Sequence, residues 1–283
     1  MSKDITSINA DNLEYSSQLR DLLDKSSQVN SPNRLLVTLD ISVLADRLVM
    51  STLAILLEYD IDLRIIYSEA EVYHPTKLEY ESDKQRWRDE SSLGLERGVV
   101  QVDVSREYPG QFLDILPDAI IVLPTFKPDR TRAIISRIDP ALLRNSRDKV
   151  TWLLGVPRLE ENSWRVDALR EINEIPDTAP QIEVSTFKYK HTLEKLEDLY
   201  KKYSANYQLT LCPIGSKLQS VGASLFCYIH PDIRVMFAIP EEYNAKQFSD
   251  GCLATWKIDL GSLRSLRTSL DKIGNLVIED CPV

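Results

Sequence analysis

Pro213-Ile214-Gly215-Ser216-Lys217-Leu218-Gln219 gathers within seven residues the groups that a negatively charged ligand requires. Gly215 permits close backbone approach, Ser216 can cap a helix, and Lys217 sets an ammonium beside that helix's positive end. Such a loop suits a phosphate or another anion. The same residues also describe a tight turn, a capped helix and an exposed lysine, so its use depends on what else reaches it. It is not a Walker A loop, because G-x-x-x-x-G-K-[ST] is absent, and no G-x-G-x-x-G occurs. The chain holds only nine glycines in 283 residues, so a glycine at such a junction carries more information than usual.

Other side chains could line the same crevice. Asp40 and Ser42 follow an apolar strand, Thr125 follows another, and Glu241 and Tyr243 follow a third. Glu69 and Glu71 stand two apart, so in an extended segment both face one side and could share acid-base work or bind ribose hydroxyls, although acidic residues after strands are also common on surfaces. Tyr73 and Tyr243 could stack on bases or simply rim the core. Conventional catalytic constellations are missing: there is no G-x-S-x-G, no H-E-x-x-H, and His74, His191 and His230 are not paired by sequence with a nucleophile. The four cysteines form no C-x-x-C pair, and Cys212 and Cys227 read as small buried hydrophobes. No cofactor and no metal site are expected.

The elements that must position these residues read as alternating strands and helices. Arg34–Leu39 is a near-continuous apolar strand, a helical stripe runs through Leu44, Leu48, Leu53 and Leu56, and Leu63–Tyr67 is a second strand. That is a βαβ unit, which implies a parallel sheet with a helical crossover. Further strands are expected at 98–104, 119–123, 149–154, 208–212, 233–238 and 253–260, with helices at 127–138, 163–174, 189–204 and 215–229. The fold class expected is α/β: a Rossmann-like, open, mainly parallel sheet with helices on both faces. Asp62–Tyr73 aligns with Asp232–Tyr243 without gaps, matching Asp62/Asp232, Arg64/Arg234, Glu71/Glu241 and Tyr73/Tyr243, which suggests two pseudo-repeated halves or two units obeying the same packing rules. The organisation expected is a polar segment with a docking helix over 1–33, a first α/β half over 34–178 and a second over 179–283, hinged near Asp177-Thr178-Ala179-Pro180. The charged run at 74–97 reads as a solvated loop, a lid or a partner contact.

A strand ending in a Gly-Ser-Lys turn before a helix resembles the Gly-Thr-Lys ligand loop of CRISPR-associated Rossmann-fold (CARF) sensor domains. The resemblance covers 213–219 and, more loosely, the pattern from 34 to 260, with Asp40-Ile41-Ser42 in the place of that family's first-strand ligand loop. It implies recognition of a cyclic oligonucleotide, usually across a dimer interface, with Lys217 and Ser216 on a phosphate and Asp40 or Ser42 on a sugar or base. Ile214 departs from the pattern, since that loop often has another glycine there, and no effector domain is visible, so a protein partner would supply the output.

Charge narrows the partners. Lys plus Arg number 34 against 43 Asp plus Glu, a net charge of −9, which makes general nucleic-acid binding unexpected. No apolar run approaches the ~20 residues that span a bilayer, so no membrane contact is expected and the location expected is cytoplasmic. The function expected is a binding or sensor protein for a nucleotide or other phosphorylated ligand, acting through a partner, and the resemblance implies a cyclic oligonucleotide and a setting in antiviral defence. The alternatives are a non-catalytic interaction subunit and a nucleotide-cleaving enzyme using Glu69, Glu71 or Glu241.

Overall fold

A computed structural model describes residues 8, 14–27, 34–82, 84, 96–111, 115–143, 149–243 and 248–279. The N-terminal leucine stripe folds as α1 (Tyr15–Ser27), with Leu23 buried. It docks on its own chain: Ser16 Oγ donates to Glu107 Oε1 at 2.6 Å, and Arg20 pairs with Glu58. β1 (Leu36–Asp40), α2 (Asp46–Leu56) and β2 (Asp62–Glu69) form the expected βαβ unit, parallel from Leu36 opposite Asp62 to Asp40 opposite Ile66. Short β3 (Val72–Tyr73) and α3 (Lys77–Ser82) follow. Then come β4 (Glu96–Val104), β5 (Asp118–Leu123), α4 (Pro128–Ile138), β6 (Val150–Val156), α5 (Trp164–Ile172), β7 (Gln181–Ser185), α6 (Tyr189–Tyr203), β8 (Gln208–Pro213), α7 (Lys217–Ile229) and β9 (Arg234–Tyr243). β10 (Ser249–Asp250), β11 (Ala254–Ser262) and α8 (Leu263–Glu279) complete the described chain.

Six strands form the main sheet in the order β7-β6-β5-β8-β9-β4, with β4 antiparallel to β9 and every other pair parallel. Numbered from β5, the five parallel strands run 3-2-1-4-5, the doubly wound order whose direction of growth reverses between the first and fourth strands. β5 (Asp-Ala-Ile-Ile-Val-Leu) and β6 are buried along almost their whole length, because helices cover both faces. On one face α4 and α5 supply Ile134, Ile135, Val166 and Leu169 to the core, and on the other α6 and α7 supply Leu196, Leu199, Ala223 and Phe226.

The first βαβ unit lies outside this sheet. β2 is the centre of a separate three-stranded sheet, parallel to β1 and antiparallel to β11, and α2 packs between that sheet and α7 in a core of Val49, Leu53, Leu63, Ile65, Leu218, Val221 and Leu225. The two matched segments occupy different sheets. Their arginines also differ in partner: Arg64 binds Asp259, whereas Arg234 binds Asp118 and Thr210. The boundary at 178/179 falls between β6 and β7, which are hydrogen-bonded neighbours. Half of the charged run at 74–97, residues 83 and 85–95, lies outside the described residues. Among the described residues, no helix is long and apolar enough to cross a membrane.

Candidate ligand crevice at the carboxyl edge of the parallel sheet

In this topology the β5–α4 and β8–α7 loops leave the carboxyl ends of neighbouring strands for opposite faces, the place where doubly wound sheets commonly seat a ligand in a crevice. The β8–α7 loop is the one singled out by sequence, and its start is a complete capping box. Ser216 N donates to Gln219 Oε1 at 2.9 Å, and Gln219 N donates to Ser216 Oγ. Ser216 Oγ in turn donates to Thr186 O, tying the loop to the end of β7. These bonds satisfy two of the donors at the helix start and leave the Lys217 and Leu218 amides without an intrahelical acceptor.

Gln219 is 2% exposed, and its Oε1 is committed to Ser216, so its Nε2 must point the other way; that buried nitrogen has no hydrogen-bond partner. Two glycines make room for the carboxamide. A Cβ on Gly215 would stand 2.4 Å from Gln219 Oε1, and a Cβ on Gly155, near the end of β6, would stand 3.5 Å from Nε2. The amide therefore lies over the carboxyl edge between β8 and β6, across the end of β5, and offers a desolvated donor at the switch point. Thr125 is half-buried on the β5–α4 loop, its carbonyl accepting from Asn173 Nδ2, and Lys127 follows it, 5% exposed, at the start of α4.

Lys217, expected to hold the phosphate, is engaged elsewhere. Its Nζ lies 3.5 Å from Asp46 Oδ1, an oxygen that also accepts from Ser220 Oγ at 3.1 Å. Asp46 opens α2, so the two helix starts are pinned side by side, and the space expected between the loops at 40–42 and 213–219 holds this carboxylate. Asp40 and Ser42 also serve the backbone. Asp40 Oδ1 accepts from the Ser42 amide and hydroxyl, and Ser42 Oγ accepts from Ser68 N, closing the turn after β1 onto β2.

Glu69 and Glu71 sit in different surroundings. Glu69 is buried and receives a two-pronged contact from Arg158, with Nε on Oε1 at 3.2 Å and Nη2 on Oε2 at 2.9 Å, plus the Trp256 indole N–H. The Arg158 guanidinium lies over the Phe187 and Trp256 rings. Both oxygens of Glu69 are thus engaged by fixed donors, and Glu71 does not share its surroundings. Glu71 is exposed against Gly251. Tyr73 donates to or accepts from Tyr67 OH, accepts from Ala70 N, and presents its ring to Arg165. Glu241 and Tyr243 belong to β9, which runs on past the expected end at Ala238 as a ribbon with β4, so they are strand residues rather than loop residues.

Among the described residues the histidines are not paired with a nucleophile. His230 is buried on Glu197, with both oxygens 3.0 Å away, and stacks on Tyr200; His191 Nδ1 accepts from Ser185 N. Cys212 and Cys227 are buried as expected, and burial pushes the Cys212 thiol up to about 12. Among the described residues no group of three or more His, Cys, Asp or Glu side chains is placed to hold a metal ion. Asp46, Arg158, Arg165 and Trp256 are the participants that motif reading passed over or left unassigned, because each reads locally as part of an amphipathic helix, loop or strand. Compared with protein-family models and with curated proteins, the chain matches none.

Proposed function

We propose that this protein binds a nucleotide or other phosphorylated small ligand in the switch-point crevice between the β5–α4 and β8–α7 loops. It acts as a cytoplasmic sensor whose output passes through a protein partner. The carrying observation is the buried Gln219 Nε2 without an acceptor. A desolvated amide donor left unpaired costs about 1–3 kcal/mol, and a ligand oxygen or ring nitrogen seated there removes that cost. The free first-turn amides of α7 lie beside it and suit an anion. The likeness of the Gly215-Ser216-Lys217 turn to CARF ligand loops makes cyclic oligonucleotides the first probes and antiviral defence the setting.

The alternatives are less well supported. On α1, Leu23 is buried and Leu19 packs against the same core, so part of the stripe expected to dock a partner is covered by this chain itself. Glu69, the best-placed acid for cleaving a nucleotide, is locked by Arg158 and Trp256.

Gln219→Glu is the decisive variant. A glutamate at the third helical position keeps the acceptor for Ser216 N, and with it the capping box, while replacing the unpartnered donor by a carboxylate oxygen and adding a negative charge; Gln219→Met, which removes the donor without the charge, is the control. Thermal shift with linear and cyclic nucleotides should show a ligand that stabilises the wild type, by about 2.7 kcal/mol at a hundredfold excess over Kd. It should show little or no effect on Gln219→Glu. Equal stabilisation of both proteins, or none of the wild type by any probe, would sink the proposal.

A further inference from the structure

Residues 70–82 leave the end of β2, pass along the β6–α5 connection and reach α5, on the far face of the main sheet from α7. Three contacts fix this strap. Arg158 grips Glu69 at its start, Tyr80 stacks on Trp164 at its end, and between them Arg165 Nη2 donates to both Tyr73 O and Pro75 O at 2.7 Å.

Arg165 is the anomaly in this arrangement. Its guanidinium lies against the rings of Phe126, Trp164 and Tyr73, with centroids at 4.9, 5.1 and 5.9 Å. Phe126 belongs to the β5–α4 loop, so the group stands at the edge of the crevice. Among the described residues no carboxylate forms an ion pair with it, and its Nε is buried without any hydrogen-bond partner. The side chain is half-buried, and guanidinium groups drawn out of water are normally paired, because an uncompensated charge there is costly. Burial here holds the group down at about 10, below the usual arginine range. Ring faces, two neutral carbonyls and the more distant charge of Glu79 compensate it only partly.

We propose that Arg165 is the oxyanion receptor of this crevice: a phosphoryl group of the ligand accepts side by side from Nε–H and Nη2–H, displacing one of the two strap carbonyls. The planar fork of arginine matches two oxygens of a phosphate in this way, and a charged acceptor outcompetes a neutral carbonyl. The inference rests on the reading of the crevice as a site for phosphorylated ligands, and it moves the phosphate from Lys217, which Asp46 holds, to the strap side. The Tyr73 and Pro75 carbonyls are then placeholders, and occupancy loosens the strap around His74.

Inorganic pyrophosphate is the probe, followed by calorimetry and by the Nε–H signals of ¹⁵N-labelled arginine, with the Arg165 signal assigned in the wild type by through-bond correlation to its own backbone amide. The expected results are binding to the wild type, a shift of the Arg165 Nε–H signal, and affinity weakened about 10- to 100-fold in Arg165→Lys and Arg165→Gln. Should those variants fail to fold, the wild-type signal still decides, since an unmoved Nε–H at saturating pyrophosphate overturns the proposal. Nucleotides that stabilise the wild type and the Arg165 variants equally would overturn it too, while leaving the crevice reading intact if Gln219→Glu abolishes the effect. Failure of pyrophosphate and every nucleotide to bind the wild type would remove both.

Discussion

The contact between Lys217 and Asp46 decides whether the sequence motif is a ligand loop or a structural pin, and a double-mutant cycle measures it. At 3.5 Å and an effective dielectric of about 20, the attraction is roughly 5 kcal/mol before desolvation is subtracted. Asp46 and Lys217 side chains are 11% and 23% exposed, so much of that attraction is offset by the water both groups have lost. The pair lies between exposed pairs, worth about 0.2–1 kcal/mol, and buried ones, whose truncation costs about 3–5. A coupling of about 1.5 kcal/mol follows. Asp46→Asn keeps an acceptor for Ser220 and removes the charge, and Lys217→Met keeps the stem. Urea unfolding of the two single variants and the double variant should show the double losing about 1.5 kcal/mol less than the sum. High salt should reduce that coupling only in part, because the pair is mostly shielded from solvent. A coupling under about 0.3 kcal/mol would mean that the ammonium does not rest on Asp46 and is available to a ligand after all.

Three other outcomes follow from the same contacts. Gly222→Ala should destabilise the protein by about 2–3 kcal/mol in urea titration, because the new Cβ would lie 2.3 Å from the Tyr189 carbonyl oxygen where α6 crosses α7. Glu69→Gln should cost about 1–2 kcal/mol and change Trp256 emission, since it weakens the Arg158 fork and the indole hydrogen bond together; an unaltered spectrum and midpoint would contradict the geometry. His74 is raised from 6.5 by hydrogen bonds to Glu79 and Asp250, and Glu79 is lowered from 4.5 chiefly by His74. The histidine's contribution is complete below its unfolded pKa and lost as pH rises through its folded one, while the glutamate's is present above 4.5 and lost as pH falls. The clasp on β3 and β10 is therefore strongest between about pH 4.5 and 6.5. Amide exchange in 72–80, corrected for its intrinsic pH dependence, should be slowest in that window, and His74→Gln should flatten the profile.

The alternation of strands and helices was legible because β1, β5, β6 and β8 are continuous apolar runs and their helices carry clear stripes. β7 was not, since Gln181-Ile-Glu-Val-Ser is an edge strand in which only Val184 is fully covered. The stripe of Leu263, Leu266, Leu270 and Ile273 in α8 was present, but the helix starts directly after β11 with no break to announce it. Periodicity showed that β1 and β2 form a crossover unit without showing which sheet they join. β2 nevertheless carried a hint, because Asp62, Arg64 and Ser68 alternate with buried residues and mark a sheet covered on one face only. At 213–219 the capping role of Ser216 was legible, and the helix does start on that cap. What its lysine does depends on Asp46, 171 positions earlier in the chain, and pairing over that distance leaves no local trace. Arg165 was invisible for the same reason: Ser-Trp-Arg-Val-Asp reads as an ordinary helix start until the strap is laid across it.

Occupancy of the crevice could be relayed through α7 or through the strap, and the packing favours the strap. α7 has almost no solvent face: Ala223, Phe226 and Cys227 fill the core of the main sheet, while Leu218, Val221 and Leu225 fill the core beneath the small one. Shifting it opens voids on both sides, and each lost large side-chain contact in a core costs about 2–5 kcal/mol. Lifting the Pro75 carbonyl off Arg165 gives up one hydrogen bond, about 1–2 kcal/mol, and leaves the Tyr73 carbonyl bond and the Tyr80–Trp164 stack in place. A ligand of ordinary affinity supplies the second amount readily and the first only with difficulty. Ligand binding should therefore alter amide exchange in 70–76 while leaving the α7 amides as protected as before, and faster exchange along α7 would show that the helix, not the strap, carries the signal.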